Sequence, residues 1–453
     1  MKLYPISLRR AARFAAMLFV AVYWQACLQP APPVKYFEKE PNVRVGLLLN
    51  HQEIYLSLPE KFSIRDAQGN VLAADLLGKK WRVRAAANSA AAPAVEMREI
   101  NGAQNLVFPS GFEIVTARIA MADKESDLSN GAARDYQGRM RFIGDRESVS
   151  ALTILPLEEY LRGVVPAEMS ASFPEEALKA QAIACRSEAL QRLQQTSKQA
   201  YDICADEGCQ VYAGTNRHAE NADRAIRATH GLVLKSNGQI APAPYAGVCG
   251  GFTENNEAVW SGKPRPHLRS RFDGKKSSRG ELNSDAAVRN WLEEASGANC
   301  NVVSAEAPRN LAYARGYFRW QRPFSAAELA ASIKRKTKED FGDLLELAVL
   351  QRGASGRATK LRVIGAKKSF EINGELNIRQ ALATPPLPSA LFVIERIPNG
   401  TNGNSEKFLI RGGGWGHGVG MCQVGAAMQA VRGELHQNIL EFYYKNARLA
   451  RAY

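Results

Sequence analysis

The segment that most constrains the fold is a run of glycines near the carboxyl end, GGGWGHGVGMCQVGA over residues 412–426. Six glycines between positions 412 and 420 allow the backbone to adopt positive φ or to approach another group closely. Trp415 offers a flat face for stacking on a sugar ring, and His417 offers an imidazole. No strand-to-helix context surrounds them, which disfavours a dinucleotide-binding motif. A ligand-binding loop and a Gly-rich bend with a structural His417 both remain open.

A carboxylate precedes the longest predicted helix. Glu168 lies in LPLEEYLRGVVPAEM, residues 155–169, on a predicted turn that Pro166 and Pro174 bracket. The helix is predicted from Pro174 to about Leu193, because small and apolar residues recur there at helical spacing. Its high alanine content indicates that another element packs closely against it.

Two basic residues accompany this carboxylate. Lys179 and Arg186 are seven positions apart, about two helical turns, and therefore share one face of the helix. A carboxylate beside two cations and an apolar wall is typical of an acid/base catalyst in an anion-binding cleft. The alternative is a helix-capping glutamate next to solvated basic residues, and the residue pattern alone favours this alternative.

A third segment is YAGVCGGFTE, residues 245–254, followed by Trp260. Gly250 and Gly251 permit a tight bend or a close approach of the backbone to another group. The favoured interpretation of this segment is a turn with a buried Trp260 nearby.

The charge of the chain indicates an anionic partner. The 453 residues include 59 Lys and Arg against 45 Asp and Glu, which gives a formal net charge of +14. Nucleic acid is disfavoured as that partner, because the basic residues are dispersed and no Walker sequence occurs. The run KRKTK, residues 334–338, is typical of a solvated helix face.

The first 27 residues are predicted to be an export signal. An apolar stretch, residues 14–26, follows a basic region whose charges are on Lys2, Arg9, Arg10 and Arg13. Ala26 precedes Cys27, as in a lipoprotein cleavage site. Lipidation of Cys27, cleavage nearby and an uncleaved anchor all remain open. Each predicts an exported protein of the periplasm or cell envelope, with membrane attachment only through this signal or a lipid.

The cysteine count suits an oxidising compartment. Seven cysteines occur, so six remain if Cys27 is lipidated. The candidate disulfides are Cys204–Cys209 and Cys249–Cys300, although connectivity does not follow from a sequence. Zinc at Cys204 and Cys209 is disfavoured, because their spacing is looser than in a zinc knuckle and no second ligand pair follows.

Taken together, these segments resemble the stage II sporulation protein D (SpoIID/LytB) family of lytic transglycosylases. The similar stretches occur in the family's order and are LPLEEYLRGVVPAEM, EALKAQAIACR, CGGFTENNEAVW and GGGWGHGVGMCQVGA. The resemblance extends from about Val43 to Tyr444, nearly the whole chain after the predicted signal.

The resemblance implies cleavage of the MurNAc–GlcNAc bond in peptidoglycan glycan strands that an amidase has stripped of stem peptides. The product would end in 1,6-anhydro-MurNAc. The family's catalytic glutamate falls on Glu168, and its substrate-site lysine and arginine fall on Lys179 and Arg186. We expect the two cations to pair with the lactyl carboxylates of the stripped strand. Further candidates for substrate binding are Trp415, His417 and Gln423.

The mechanism implied by the resemblance needs a single carboxylate. A glycoside hydrolase usually needs two. No obvious second catalytic carboxylate stands out in the sequence, as expected of a lytic transglycosylase. Because members of the family are also described as amidase enhancers, the alternative function is a non-catalytic peptidoglycan-binding protein. An N-acetylmuramoyl-L-alanine amidase is the expected functional partner in either case.

Some members of this family bind zinc through one His and two Cys. The cysteines are retained here as Cys204 and Cys209, but Lys198 stands where the histidine would fall. No cofactor is therefore expected.

The sequence predicts an α+β fold, because helices and strands alternate without a regular βαβ period. We expect a β-rich SpoIID-like fold in which the long Ala-rich helix carries the active-site face. The predicted parts are a signal peptide over 1–27, a Pro-rich tether over 28–42, a β-rich part over 43–150, a catalytic core with Glu168 over 151–270, an elaborated α+β subdomain over 271–400, and the Gly-rich motif returning to the core over 401–453.

Overall fold

The structure is a computed structural model that describes residues 37–77, 79–86, 93–196, 199–275, 282–294, 297–302, 307–397 and 407–453. The predicted export signal, Cys27 and most of the Pro-rich tether lie outside the described residues, as does Lys198.

Strands dominate the first part of the described chain. The elements here are β1 (Asn42–His51), β2 (Glu53–Ser57), β3 (Phe62–Arg65), β4 (Val71–Leu76), β5 (Lys80–Ala85), β6 (Ala94–Glu99), β7 (Asn105–Pro109), β8 (Phe112–Ala122), α1 (Asp127–Asn130), β9 (Arg134–Gly144) and β10 (Val149–Pro156).

These strands belong to one large sheet, which a short later strand, β11 (Ile203–Cys204), joins at its edge. The strand order is β11-β1-β10-β9-β8-β2-β5-β6-β7, and β3 pairs with β8 and β4. Alternate side chains face the core, as expected of strands with one packed face. In β2 these are Ile54 and Leu56, and in β5 they are Trp81 and Val83, all buried.

Helices dominate the next part, which contains Glu168. Its elements are α2 (Leu157–Glu168), α3 (Glu175–Gln195), β11 (Ile203–Cys204), α4 (Glu220–Ala228), β12 (Leu232–Ser236), β13 (Gln239–Ile240), β14 (Tyr245–Ala246) and α5 (Asn256–Trp260).

Helix α3 confirms the long Ala-rich helix that the sequence predicts. It begins at Glu175 and ends at Gln195, and small side chains such as Ala180, Ala182 and Ala184 are fully buried in it. Helices α2 and α4 pack against it, together with two helices from the end of the chain. The alanines therefore allow several neighbours to approach the helix closely.

The following part has a hydrophobic core of its own, which includes Phe341, Leu361 and Phe392. Its elements are α6 (Asp285–Glu293), a 3₁₀ turn (Arg309–Ala314), α7 (Arg315–Phe318), β15 (Trp320–Ser325), α8 (Ala326–Thr337), β16 (Leu344–Arg352), β17 (Ala358–Gly365), β18 (Ser369–Asn373), α9 (Glu375–Leu382) and β19 (Phe392–Ile397).

The end of the chain returns to the part that contains Glu168. Strand β14 pairs in parallel with β21, so that Tyr245 lies opposite Met421 and Ala246 opposite Cys422. The last elements are β20 (Lys407–Gly412), β21 (Met421–Cys422), α10 (Gln423–Val431), α11 (His436–Tyr443) and β22 (Arg448–Arg451).

The α+β prediction is confirmed by this arrangement of a large mixed sheet, smaller sheets and packed helices. Within the described ranges, no helix combines the length and the apolar composition required to cross a bilayer.

A leucine in the buried face of α3 should destabilise the fold. Ala184 is fully buried, so Ala184→Leu adds volume to a packed interior and is expected to lower the free energy of unfolding by about 1–3 kcal/mol. Gln194→Leu, at an exposed position of the same helix, is the control and should change stability little. Urea unfolding checks both, and equal stability of the two variants would contradict the packing described here.

Candidate active site

Glu168 is the last residue of α2, and Met169 after it is extended. The sequence predicted a turn at this point, but the helix continues through Pro166. Glu168 Oε1 accepts a hydrogen bond from the backbone N–H of Val211 at 2.7 Å. Its backbone carbonyl accepts one from Gln423 Nε2 at 3.0 Å. The end of α2 is thus held by two segments that are distant in sequence.

The environment of Glu168 favours the protonated carboxyl group. Burial raises its pKa to about 7, and the nearby charge of Glu207 acts in the same direction. Hydrogen bonds from the Val211 N–H and the Tyr245 hydroxyl act in the opposite direction. A carboxyl group with this pKa can both donate and accept a proton near neutral pH, as a general acid/base must.

Tyr245 is part of a buried hydrogen-bond chain that positions Glu168. Gln210 Nε2 donates to the Tyr245 hydroxyl at 3.1 Å, and the Tyr160 hydroxyl donates to Gln210 Oε1 at 3.1 Å. The tyrosine oxygen therefore has an internal donor, which leaves its own hydrogen for the Glu168 carboxylate. Sequence reasoning missed Tyr245 and Gln210 as functional candidates, although Tyr245 begins a segment that it singled out and Gln210 follows the disulfide candidate Cys209.

Glu168 lines a wide cleft of about 1820 Å³ together with Trp415, His417 and Gln423. The carboxyl-terminal half of α3 contributes to the same cleft. The structure thus brings Glu168 and the Gly-rich motif to one cavity.

Three exposed aromatic rings line this cleft and are called the aromatic wall: those of Trp260, Tyr313 and Trp415. Trp415 is 42% exposed and stacks on Tyr317, with ring centroids 4.4 Å apart and an interplanar angle of 14°. Trp260 is 50% exposed, which corrects the prediction that it is buried. The reason is that α5 is a short helix at the rim of the cleft rather than a core element. Tyr313 also lines the cavity.

His417 lines the cleft as a neutral side chain. Burial, together with the charges of Arg357 and Arg379, lowers its pKa to about 3. Its Nδ1 accepts the Val419 N–H at 3.0 Å, and its ring packs on Trp260 with centroids 4.9 Å apart. This bonding agrees with the structural histidine that the sequence left open.

The glycines of the motif allow a close approach of the backbone to core groups. Gly418 has φ +78°, and a Cβ there would lie 2.2 Å from Cζ of the buried Arg357. Arg357 in turn donates to the Cys249 carbonyl at 3.0 Å. The motif is therefore a Gly-rich bend on the core from which Trp415 projects into the cleft.

Comparisons with known proteins show which families the chain is similar to. The family model described as stage II sporulation protein (SpoIID) matches residues 145–235, which contain Glu168 and helix α3. We call this matched part of the chain, residues 145–235, the SpoIID domain. A second family model, described as a domain of unknown function (DUF8618), matches residues 254–420.

The relatives that match this chain each cover about two thirds of its length. An amidase enhancer of Bacillus subtilis is 28% identical over 64% of the chain, and the match spans 40% of that protein. Stage II sporulation protein D of the same organism is 26% identical over 66% of this chain and 75% of its own length. An uncharacterized protein of Brachyspira hyodysenteriae is 27% identical over 68% of this chain and 71% of its own.

Two predicted substrate-binding residues of the SpoIID domain lie away from the cleft, and we correct both predictions. Arg186 is 0% exposed, because it forms a bidentate ion pair with Glu158 at 2.8 Å and donates to the Leu232 carbonyl. Lys179 is paired with the carboxylates of Glu175 and Glu176 at 2.9 and 2.8 Å and does not line the cleft. Both cations therefore stabilise the SpoIID domain itself.

The two predicted disulfides have different outcomes. Cys204 and Cys209 form the predicted disulfide. Because the two sulfurs are bonded to each other, these residues do not fit the zinc ligation known in some relatives. Cys249 and Cys300 are not bonded, and we correct that predicted disulfide. Their sulfurs are 3.5 Å apart, and the side chains of Asp273 and Cys422 lie beside them.

The pKa of Glu168 predicts how the stability of the SpoIID domain depends on pH. The folded chain binds a proton up to about pH 7, whereas an unperturbed glutamate releases it near 4.5, so Glu168 destabilises the fold increasingly as pH rises through this interval. The variant Glu168→Gln is neutral at every pH and lacks this effect. The difference in unfolding free energy between Glu168→Gln and the wild type should therefore shift in favour of the variant by up to about 3 kcal/mol from acid to neutral pH.

Urea unfolding at several pH values between 4 and 8 measures this difference. Glu147→Gln, at an exposed carboxylate in the loop between β9 and β10, is the control and should follow the wild type. A stability difference between Glu168→Gln and the wild type that does not change with pH would contradict the assigned pKa.

Proposed function

We propose that this chain acts on the bacterial cell wall as a peptidoglycan lytic transglycosylase. The observation that carries the proposal is the partly buried carboxyl group of Glu168, with a pKa of about 7, in a cleft lined by exposed aromatic rings. The names of the relatives, stage II sporulation protein D and amidase enhancer, support a role in the cell wall.

Glu168 would act first as an acid and then as a base. It protonates the glycosidic oxygen as the bond from C1 of MurNAc to that oxygen breaks, which releases the GlcNAc hydroxyl. The carboxylate then removes the proton from the C6 hydroxyl of MurNAc, whose oxygen bonds to C1. Glu168 is regenerated in its protonated form, no water is consumed, and the product is a 1,6-anhydro sugar.

The contacts of Glu168 suit both steps. The Val211 N–H and the Tyr245 hydroxyl stabilise the carboxylate after it has given up its proton, while burial favours the protonated form before the reaction. Gln423 fixes the backbone at Glu168 and does not contact its carboxylate oxygens directly, so we assign it a positioning role.

The aromatic wall suits a glycan strand. The exposed faces of Trp415 and Trp260 are wide enough to stack on sugar rings, and Tyr313 extends this surface along the cavity. We propose that the protein meets its substrate outside the cytoplasm, because the predicted export signal and the substrate chemistry both require it. An N-acetylmuramoyl-L-alanine amidase that removes stem peptides is the proposed functional partner, as the name of the amidase enhancer relative suggests.

A second candidate function is hydrolysis of the same bond. Glu207 lines the same cleft, and its charge raises the pKa of Glu168. A second carboxylate near a general acid can activate water or attack the sugar. Hydrolysis would yield a reducing MurNAc end, so the product distinguishes the two candidates.

The test is incubation of the purified protein with amidase-treated sacculi, followed by mass spectrometry of the soluble sugars. We expect peptide-free anhydro-disaccharides, their loss in Glu168→Gln and their retention in Glu207→Gln. Reducing ends that depend on Glu207 would replace this proposal with the hydrolase. Binding of sacculi without any release of sugar would support the non-catalytic amidase enhancer instead.

Exposed cations in the cleft predict a preference for stripped strands. Lys263 and Arg265 are exposed and line the cavity, where they can pair with the lactyl carboxylates that amidase action uncovers. The double variant Lys263→Ala/Arg265→Ala should bind stripped glycan roughly tenfold more weakly at low salt, and less so at high salt.

Sedimentation of stripped glycan with the protein at two salt concentrations measures this effect. Lys179→Ala is the control, because Lys179 lies outside the cleft and is paired with Glu175 and Glu176. Equal weakening by both changes would contradict the assignment of the anion-binding residues.

A further inference from the structure

Four ligand-type side chains from separate segments meet in the core. Cys249, Asp273, Cys300 and Cys422 are all buried, and their ligand atoms all lie within 4.8 Å of one another. The Cys249 and Cys300 sulfurs are 3.5 Å apart, and the Cys249 sulfur lies 3.3 Å from Asp273 Oδ2. None of the three cysteines is disulfide-bonded.

Burial of the ionised Asp273 carboxylate costs free energy unless a cation offsets its charge. Its hydrogen-bond donors are neutral: the Tyr443 hydroxyl at 2.7 Å, the Asn299 amide at 3.3 Å and the Cys300 N–H at 3.0 Å. A buried carboxylate surrounded by thiols gains little from such partners compared with the hydration that it loses. A disulfide between Cys249 and Cys300 would leave this cost unchanged.

We propose that these four residues bind a zinc ion. Three sulfurs and one carboxylate oxygen form a donor set that zinc accepts, at bond lengths of about 2.3 Å to sulfur and about 2.0–2.2 Å to oxygen. Tetrahedral bonds of this length place two sulfurs about 3.7 Å apart, near the separation of Cys249 and Cys300. Four protein ligands leave no open position, so the ion is structural.

The groups around the cluster hold the ligands in this arrangement. The Cys249 N–H donates to the Cys422 sulfur at 3.2 Å, as expected for a thiolate ligand. The Tyr443 hydroxyl and the Asn299 amide donate to Asp273 Oδ1, and Oδ2 is the carboxylate oxygen that lies near the Cys249 sulfur. In zinc sites, hydrogen bonds of this kind commonly fix the orientation of the ligands.

The ion would fasten together the segments that build the candidate active site. Cys249 lies in the segment that begins with Tyr245, and Cys422 directly precedes Gln423, which donates to the Glu168 backbone. Asp273 and Cys300 tie the intervening part of the chain to the same point. This zinc site is separate from the disulfide-bonded Cys204 and Cys209.

The test is elemental analysis of the full chain purified from an oxidising compartment in the absence of chelators. We expect about one zinc ion per chain. Exchange of zinc for cobalt should produce the intense thiolate-to-cobalt absorption of a tetrahedral sulfur site, a readout that needs no variant. The zinc content per chain should fall at least tenfold in Cys422→Ser. The double variant Cys204→Ser/Cys209→Ser, which removes two cysteines elsewhere, should retain its zinc.

Two outcomes would overturn the proposal. One is a metal-free, folded wild-type chain in which peptide mapping finds Cys249 joined to Cys300. The other is zinc that is retained in Cys422→Ser and lost in the Cys204→Ser/Cys209→Ser variant, which would assign the ion to the other cysteine pair.

Discussion

The pairing of the segment that begins at Tyr245 with the Gly-rich motif is the interaction on which the rest of the site depends. They pair in parallel at Tyr245–Met421 and Ala246–Cys422, and isolated bridges join Val248 to Trp415 and Glu254 to Val419. Glycines make this approach feasible, because at Gly420 a Cβ would meet the Pro244 carbonyl oxygen at 2.0 Å. The pairing places the aromatic wall, the Tyr245 hydroxyl and Gln423 around Glu168.

A partly buried carboxylic acid at neutral pH is the chemical result of that pairing. The same desolvation that destabilises the carboxylate supplies the acid that glycosidic cleavage needs. Two hydrogen-bond donors, the Val211 N–H and the Tyr245 hydroxyl, stabilise the carboxylate once the proton has left. The fold therefore loses some stability at neutral pH in exchange for a usable proton donor.

Local sequence patterns predicted the features that depend on local structure. Helical spacing of alanines predicted helix α3 to within two residues, and Cys204–Cys209, one of the two candidate disulfides, is present. Predictions of features that depend on residues distant in sequence were wrong. Arg186 was assigned to substrate because the family resemblance places a substrate-site arginine there and because its spacing from Lys179 defines a helix face. Neither observation shows that Glu158 packs against that face. The cluster around Asp273 draws its ligands from residues 249 to 422, a separation that no spacing rule covers.

The central claim is that the pKa of Glu168 in the free protein lies near neutral pH, so that a large share of the carboxyl groups still carries a proton there. The most direct measurement is the carboxyl-carbon NMR titration of protein labelled with ¹³C-glutamate, with the Glu168 signal identified by its absence in Glu168→Gln. The account predicts a midpoint at about pH 7. A midpoint near the ordinary glutamate value of 4.5 would contradict it.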